Sequence, residues 1–449
     1  MKALTKYAGG SMAELWAVSW PLIVTSAANM LMLFGDRIIL AHYSREAFNA
    51  NVATMPWVWA IYFPLFSIVF SANVLVGRYN GAGTYHKIGP AVWQMLWLSL
   101  GLLVPLVPLS WYLAPHLLSD SVRELGTPYL RIVLPSIPIS LAAFGAMDAF
   151  FTGRGRTLFV SAVALLCNLL NLVLDVLLVF GIGPFPAMGI CGAAWGTVIS
   201  QFAGLFLLAR FLFTEENGKN YRVFDARLDK KIFKECLRIG SPMALGGAVN
   251  FFLWSWILQV MASQVSADNY TAFGVSTTLF HLILFVVEGI SLGVGTIVAN
   301  AYGAGAWSVV ERNSRSWMLL ALAVAAVSFV ALVLFPGPLL ALFVSGPMEE
   351  SFRRALRAML LCCWIMGSFD CFGYNLRQIL TAFGDTIFTT VVGLLGYGCL
   401  VIAPSYFALC LTHHAASFLA IETVGQGSIA IAFFFRYRRH WLLPHRGGA

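Results

Sequence analysis

The chain reads as a succession of long apolar stretches separated by short polar ones. Stretches long enough to cross a hydrocarbon core fall at about 15–40, 52–76, 90–114, 128–152, 157–181 and 189–213. After a longer polar interval they resume at about 237–262, 271–299, 316–345, 354–381, 386–411 and 415–436. A spanning helix needs roughly 20 apolar residues, and buried strands are far shorter, so each stretch predicts a transmembrane helix. The expected fold is therefore an all-α integral membrane protein of twelve spans.

Composition agrees with that pattern. Of 449 residues, 59% are hydrophobic and 11% charged, against about 25% charged in a soluble domain. That excludes a soluble enzyme, and it removes nucleic acid as a partner despite the net charge of +8. The first apolar stretch is too long for a cleaved leader and lacks a small-residue cleavage pattern. The eight cysteines show no CxxC-with-His spacing, which predicts reduced, buried thiols.

Basic residues set the expected orientation. With both termini inside, 20 of the 28 Lys and Arg residues fall on the inner side and five on the outer. Arg37, Arg131 and Arg377 lie within spans. The sequence thus predicts a multi-pass plasma (inner) membrane protein with cytoplasmic termini. A charged interval, 214–236, separates an N-terminal six-helix bundle (1–213) from a C-terminal one (237–449), and its charges read as a solvated linker.

The halves repeat. Glu14-Leu-Trp-Ala-Val-Ser-Trp-Pro21 matches Glu235-Cys-Leu-Arg-Ile-Gly-Ser-Pro242, and the same offset places Asn29 on Asn250. Gly81-Ala-Gly83 matches Gly303-Ala-Gly305, and Thr152-Gly-Arg-Gly155-Arg-Thr157 matches Thr381-Ala-Phe-Gly384-Asp-Thr386. Six spans per half is an even number, so the two bundles are expected to be parallel and related by a pseudo-twofold axis along the membrane normal. Such halves are the signature of a secondary transporter working by alternating access. No GxxxxGK[ST] motif occurs, so the sequence offers no ATP drive.

Together these features resemble the MATE (multidrug and toxic compound extrusion) family. The resemblance rests on Pro21 and Pro242, on Gly-Ala-Gly after spans 2 and 8, and on Asn168-Leu-Leu-Asn171-Leu-Val-Leu-Asp175 before Gly189-Ile-Cys-Gly192-Ala-Ala. It covers essentially the whole chain. It implies a non-enzymatic, cation-coupled antiporter exporting organic, cationic and amphipathic compounds, acting as a monomer without a cofactor. The wider superfamily also contains lipid-linked precursor and polysaccharide flippases. They typically have more spans and would need a basic cavity, whereas six acids and three bases lie within the spans here.

Those six acids are Asp36, Asp148, Asp175, Glu288, Asp370 and Glu422. A carboxylate at membrane depth costs a few kcal/mol and usually faces water or holds a cation. Asn171 and Asp175 are four residues apart on one helical face, which Asn168 extends. Carboxylate, amide and hydroxyl oxygens suit Na⁺, and a desolvated acid pair can equally hold a proton. The resemblance implies a coupling site of Asp36, Asn171, Asp175 and Thr197, for H⁺ or for Na⁺ at Asp36, Asn171 and Asp175. It also implies a hinge at Pro21, whose ring permits bending there. In the second half, Asp370 matches an aspartate that belongs to a second cation site in one subgroup. That subgroup's span-7 glutamate is replaced by Asn250, and Glu288 is the candidate for the missing charge. Asp148, near Arg154 and Arg156, is expected to form a local ion pair or to snorkel. Tyr62 and Trp254 are candidate cavity aromatics, and His281 reads as a core or pore-lining residue.

Overall fold

A computed structural model describes residues 4–340 and 349–442. Lys2 and Arg446 of the inner basic set, and the last residues of the expected span 316–345, lie outside the described residues.

Twelve helices are long and apolar enough to cross a membrane. They are α1 (Met12–Tyr43), α2 (Arg45–Gly81), α3 (Tyr85–Leu113), α4 (Asp120–Thr152), α5 (Thr157–Phe180) and α6 (Ile190–Leu212). The second half supplies α7 (Lys230–Gln264), α8 (Ala267–Gly303), α9 (Trp307–Leu334), α10 (Glu350–Ala382), α11 (Thr386–Thr412) and α12 (Ala415–Leu442). All twelve expected spans are present, several of them longer than their apolar stretch because polar turns extend the helix beyond it. No strand occurs among the described residues, as expected where every backbone polar group must be satisfied within its own segment.

By contact the chain forms two compact units. One comprises Val24–Ala244 with Gly303–Gly305; the other comprises Thr5–Ile23, Leu245–Tyr302 and the chain from Ala306 onward. Segment 214–236 therefore belongs to the first unit. The first turns of α1 and α7 pack in a different unit from the remainder of each helix, with the change two residues after Pro21 and Pro242.

The sequence repeats mark turns of matching backbone. After α2 the Thr84 N–H donates to the Tyr79 carbonyl at 2.9 Å, and after α8 the Ala306 N–H donates to Ala301 at 2.8 Å. Between these partners Gly83 (φ 71°) and Gly305 (φ 65°) take the left-handed conformation that a side chain disfavours. The turns after α4 and α10 repeat the device, with Arg156 to Phe151 and Asp385 to Leu380 both at 2.9 Å. Here Gly155 (φ 76°) and Gly384 (φ 77°) are left-handed.

In the second unit Asp385 anchors the end of the chain. It accepts from Arg436 Nε at 2.7 Å and Nη2 at 3.3 Å, and from Trp441 Nε1 at 3.2 Å. Such a forked pair fixes geometry as well as charge.

The charged interval is tied to α3 more closely than a solvated linker implies. Trp93 Nε1 donates to the Val223 carbonyl at 2.6 Å, and Trp97 Nε1 donates to Ala226 at 2.8 Å. Gln94 donates to the Arg227 carbonyl at 3.0 Å and accepts from the Asp229 N–H at 3.1 Å. Arg154 stacks on Tyr221, 3.9 Å from the ring centroid, and donates to its hydroxyl at 2.7 Å. Replacing Trp93 and Trp97 by Phe keeps the rings but removes two bonds of about 1 kcal/mol each. Trypsin should then cut at Arg222 and Arg227 several-fold faster, measured by limited proteolysis; an unchanged rate would mean that these bonds do not hold the segment.

All eight cysteines are free, as expected. Four are buried, but Cys399 is exposed, because its position on α11 faces outward from the unit rather than into the helix packing.

Candidate cation site in the first unit

The α5–α6 hairpin positions the site. Gly181 (φ 70°) ends α5, and a Cβ there would overlap the Ala187 backbone, so only glycine admits this tight return. Further along, Gly192 brings α6 against the backbone of Leu178, at 2.6 Å from where its Cβ would lie. One turn on, the missing side chain of Gly196 leaves room for the Asp175 carboxylate, which a Cβ would strike at Oδ1. Two small residues one turn apart thus let α6 close on the acid-bearing face of α5.

Asp175 and Asn171 are 0% and 1% exposed, while Asp36 on α1 is half-buried. The Asp36 and Asp175 carboxylates lie within electrostatic range of each other. Two ionised carboxylates repel and neither can donate, so a proton or cation between the two groups is what would hold them together. Oriented so that both ends of its amide are satisfied, Asn171 donates to Asp36 Oδ1 at 3.2 Å and accepts from the Thr197 N–H at 3.2 Å. The Thr197 hydroxyl donates to the Ala193 carbonyl at 3.1 Å. Thr197 meets the cluster through its backbone N–H, and its hydroxyl oxygen, which keeps its acceptor lone pairs, lies 3.5 Å from the Asn171 amide. Asp175 Oδ2 is buried without a hydrogen-bond partner among the described residues. An orphaned oxygen there is costly unless something fills the gap.

Two further residues reach this cluster. Tyr129 on α4 lies within electrostatic range of both Asp36 and Asp175, and Asn51 of α2 lies beside it. Nothing in the sequence pattern singled them out, because neither carries charge and each lies in its own span without a partner at helical spacing. Asn168, expected on the same face as Asn171, instead donates to Asn29 of α1 at 2.8 Å.

Other expected residues are placed as follows. Asp148 makes no ion pair with Arg154 or Arg156 among the described residues. It accepts from Thr152 one turn on, because Arg154 has turned to Tyr221. Tyr62 stacks on Phe66 at 5.5 Å. In the second unit Trp254 packs on Phe418 at 5.6 Å, and His281 Nδ1 lies 2.6 Å from the Thr277 carbonyl of its own helix. Pro21 is buried. Asp370 is buried, Glu288 is exposed and within electrostatic range of Arg377, and Asn250 is half-buried with an unpartnered Oδ1 among the described residues. No three His, Cys, Asp or Glu side chains converge as a divalent metal would require, among the described residues.

The comparisons with known proteins agree with this architecture. The MatE family model matches residues 21–177 and 242–407, more than half of the chain. The "Probable multidrug resistance protein NorM" of Thermotoga maritima is 27% identical over 344 residues, covering 74% of this chain and 72% of that protein. The "FAD transporter" of Shewanella oneidensis is 26% identical over 322 residues, covering 70% of each. A solved multidrug resistance MATE transporter in an outward-facing conformation superposes with a TM-score of 0.85, at 17% identity, over 98% of this chain and 97% of that one. A MOP superfamily transporter from Pyrococcus furiosus gives 0.84, at 18% identity, over 96% of each. With twelve membrane-length helices and a family model matching both halves, this chain is a multi-pass membrane protein belonging to the MATE family of transporters.

Proposed function

We propose that this chain is a cation-coupled antiporter that exports organic, cationic and amphipathic compounds across the plasma (inner) membrane by alternating access. It works as a monomer with both termini cytoplasmic, the orientation supported by 20 inner against five outer basic residues. The observation that carries the reading is the closeness of half-buried Asp36 to fully buried Asp175, whose Oδ2 is orphaned among the described residues. Two carboxylates with room for one more partner fit a monovalent cation, H⁺ or Na⁺.

Asp36 and Asp175 hold the cation, Asn171 orients Asp36, and the Thr197 N–H fixes the Asn171 amide. Cation binding couples to export only if the cluster has unequal affinity in the two access states. Pro21 supplies a place where α1 bends at low cost, since its ring removes one backbone hydrogen bond. Stacked rings along α2, Tyr62 on Phe66 at 5.5 Å and Phe66 on Phe70 at 5.2 Å, offer π faces to a flat organic cation.

The test is energetic. Cells expressing the protein should exclude a fluorescent organic cation, and exclusion should fall about tenfold either with a protonophore or when K⁺ replaces Na⁺. Exclusion that survives both treatments would overturn cation coupling. A second reading follows from the Shewanella oneidensis relative described as an FAD transporter: an anionic flavin nucleotide as cargo. Export of FAD and not of organic cations in the same cells would favour it.

A further inference from the structure

In the first unit, segment 222–234 makes a U along the start of α3. A Cβ on Gly89 would overlap the Tyr221 and Arg222 carbonyls, so the chain enters directly against that helix. Val223 is held by Trp93 and Ala226 by Trp97, after which Arg227 and Asp229 return to Gln94. From there the chain leads to Glu235, which accepts from Tyr79 at the end of α2. Trp93 and Trp97 lie one and two turns inside the apolar stretch that opens near residue 90. The tip of the U is thus set where hydrocarbon meets headgroups, the level at which Trp is favoured.

The outward face of the U is amphipathic. At its tip Phe224 and Leu228 are 59% and 63% exposed. Phe224 is braced from beneath: its ring centroid lies 6.1 Å from that of Phe213, and the ring packs on Gly218, 2.6 Å from where a Cβ would lie. On the two arms Arg222, Lys230, Lys231 and Lys234 are exposed, and none is ion-paired among the described residues. The acids of the segment are already engaged. Asp229 accepts from the Lys231 and Ile232 N–H groups at 2.8 and 3.2 Å. Glu235 accepts from the Tyr79 hydroxyl at 3.1 Å and lies 3.9 Å from Arg78, and Asp225 lies 3.9 Å from Arg227. Water or a free phosphate satisfies the four cations and leaves the apolar tip uncovered. An anionic lipid meets both at this depth.

We propose that segment 222–234 is a seat for anionic phospholipid. Arg222, Lys230, Lys231 and Lys234 hold the phosphate, and the acyl chains run past Phe224, Leu228 and the exposed Trp97. In the orientation given above, this lipid belongs to the inner leaflet. The seat goes beyond the exporter reading and needs neither its cargo nor its ion, so each stands if the other fails.

The experiment measures lipid retention by purified full-length protein. Washed protein is equilibrated in mixed micelles of detergent with radiolabelled phosphatidylglycerol or phosphatidylcholine, and bound lipid per chain is counted after gel filtration. The unaltered chain should retain about tenfold more phosphatidylglycerol than phosphatidylcholine. R222Q/K230Q/K231Q/K234Q should fall to the phosphatidylcholine level. R45Q/R353Q/R354Q/R357Q, which removes the same charge at exposed positions elsewhere, should keep the preference. F224S/L228S should lower retention of both lipids, because the apolar tip serves either. If the fourfold variant does not stay monodisperse, K230Q/K231Q reads the same loss in part. Excess glycerol phosphate should leave the lipid bound; displacement by it would reduce the seat to a free-phosphate site and overturn the proposal. Retention unchanged in the fourfold variant, or no preference in the unaltered chain, would overturn it as well.

Discussion

Asn in place of Asp36 should lower coupled export by about a hundredfold while leaving the amount of folded protein in the membrane unchanged. The two side chains have the same shape, and an amide oxygen can still accept from the Asn171 nitrogen that now reaches Asp36 Oδ1 at 3.2 Å. What disappears is the negative charge and the ability to share a proton or cation with Asp175. Packing is retained, so fluorescence-detected size exclusion should show an ordinary monodisperse peak. Initial rates of organic-cation export, at matched protein levels, read the loss. A variant exporting at the normal rate would move the coupling site away from Asp36.

Gly196→Ala should be the next most damaging change, with export reduced about tenfold or more. The added methyl would strike Asp175 Oδ1 and lie 3.3 Å from its Cγ. Asp175 is fully buried, so its carboxylate can give way only within the cluster, into the space that a cation would need. Either the acid rotates away from Asp36 or α6 shifts from α5, and both outcomes spoil the pair. Gly247→Ala on α7, where a Cβ would meet nothing within 4 Å, is the control and should export normally. Equal export by both alanine variants would show that Asp175 need not sit where it does.

The parts legible in the sequence were those governed by one strong rule. Membrane length and hydropathy gave twelve helices, and four-residue spacing put Asn171 and Asp175 on one face. A lone acid in an apolar span made Asp36 conspicuous. Less legible was anything that depends on which helices touch. Tyr129 and Asn51 join the cluster from α4 and α2, and no periodicity links them to Asp36. Thr197 was expected for its hydroxyl; the Thr197 N–H also joins the cluster by donating to Asn171, a backbone contact that residue type does not announce. Asp148 looked paired with the neighbouring arginines because they are close in sequence. Its partner is Thr152, and Arg154 is drawn off by Tyr221 from a segment 67 residues away. The same segment read as a tether because its residues are charged; its backbone, which the charges do not describe, is what α3 grips.

The paired turns after α4 and α10 show how two halves of one chain come to differ. Arg156 and Asp385 occupy equivalent places, each donating its N–H across the same loop at 2.9 Å. The backbone there is committed, but the side chain bears none of the turn's burden and is free to change sign. In the second half that freedom has become an anchor, with Asp385 gripping Arg436 and Trp441. Repetition of this kind preserves a scaffold while leaving adjacent positions open to separate duties, and a charge can be inverted at such a place without rebuilding the loop that carries it.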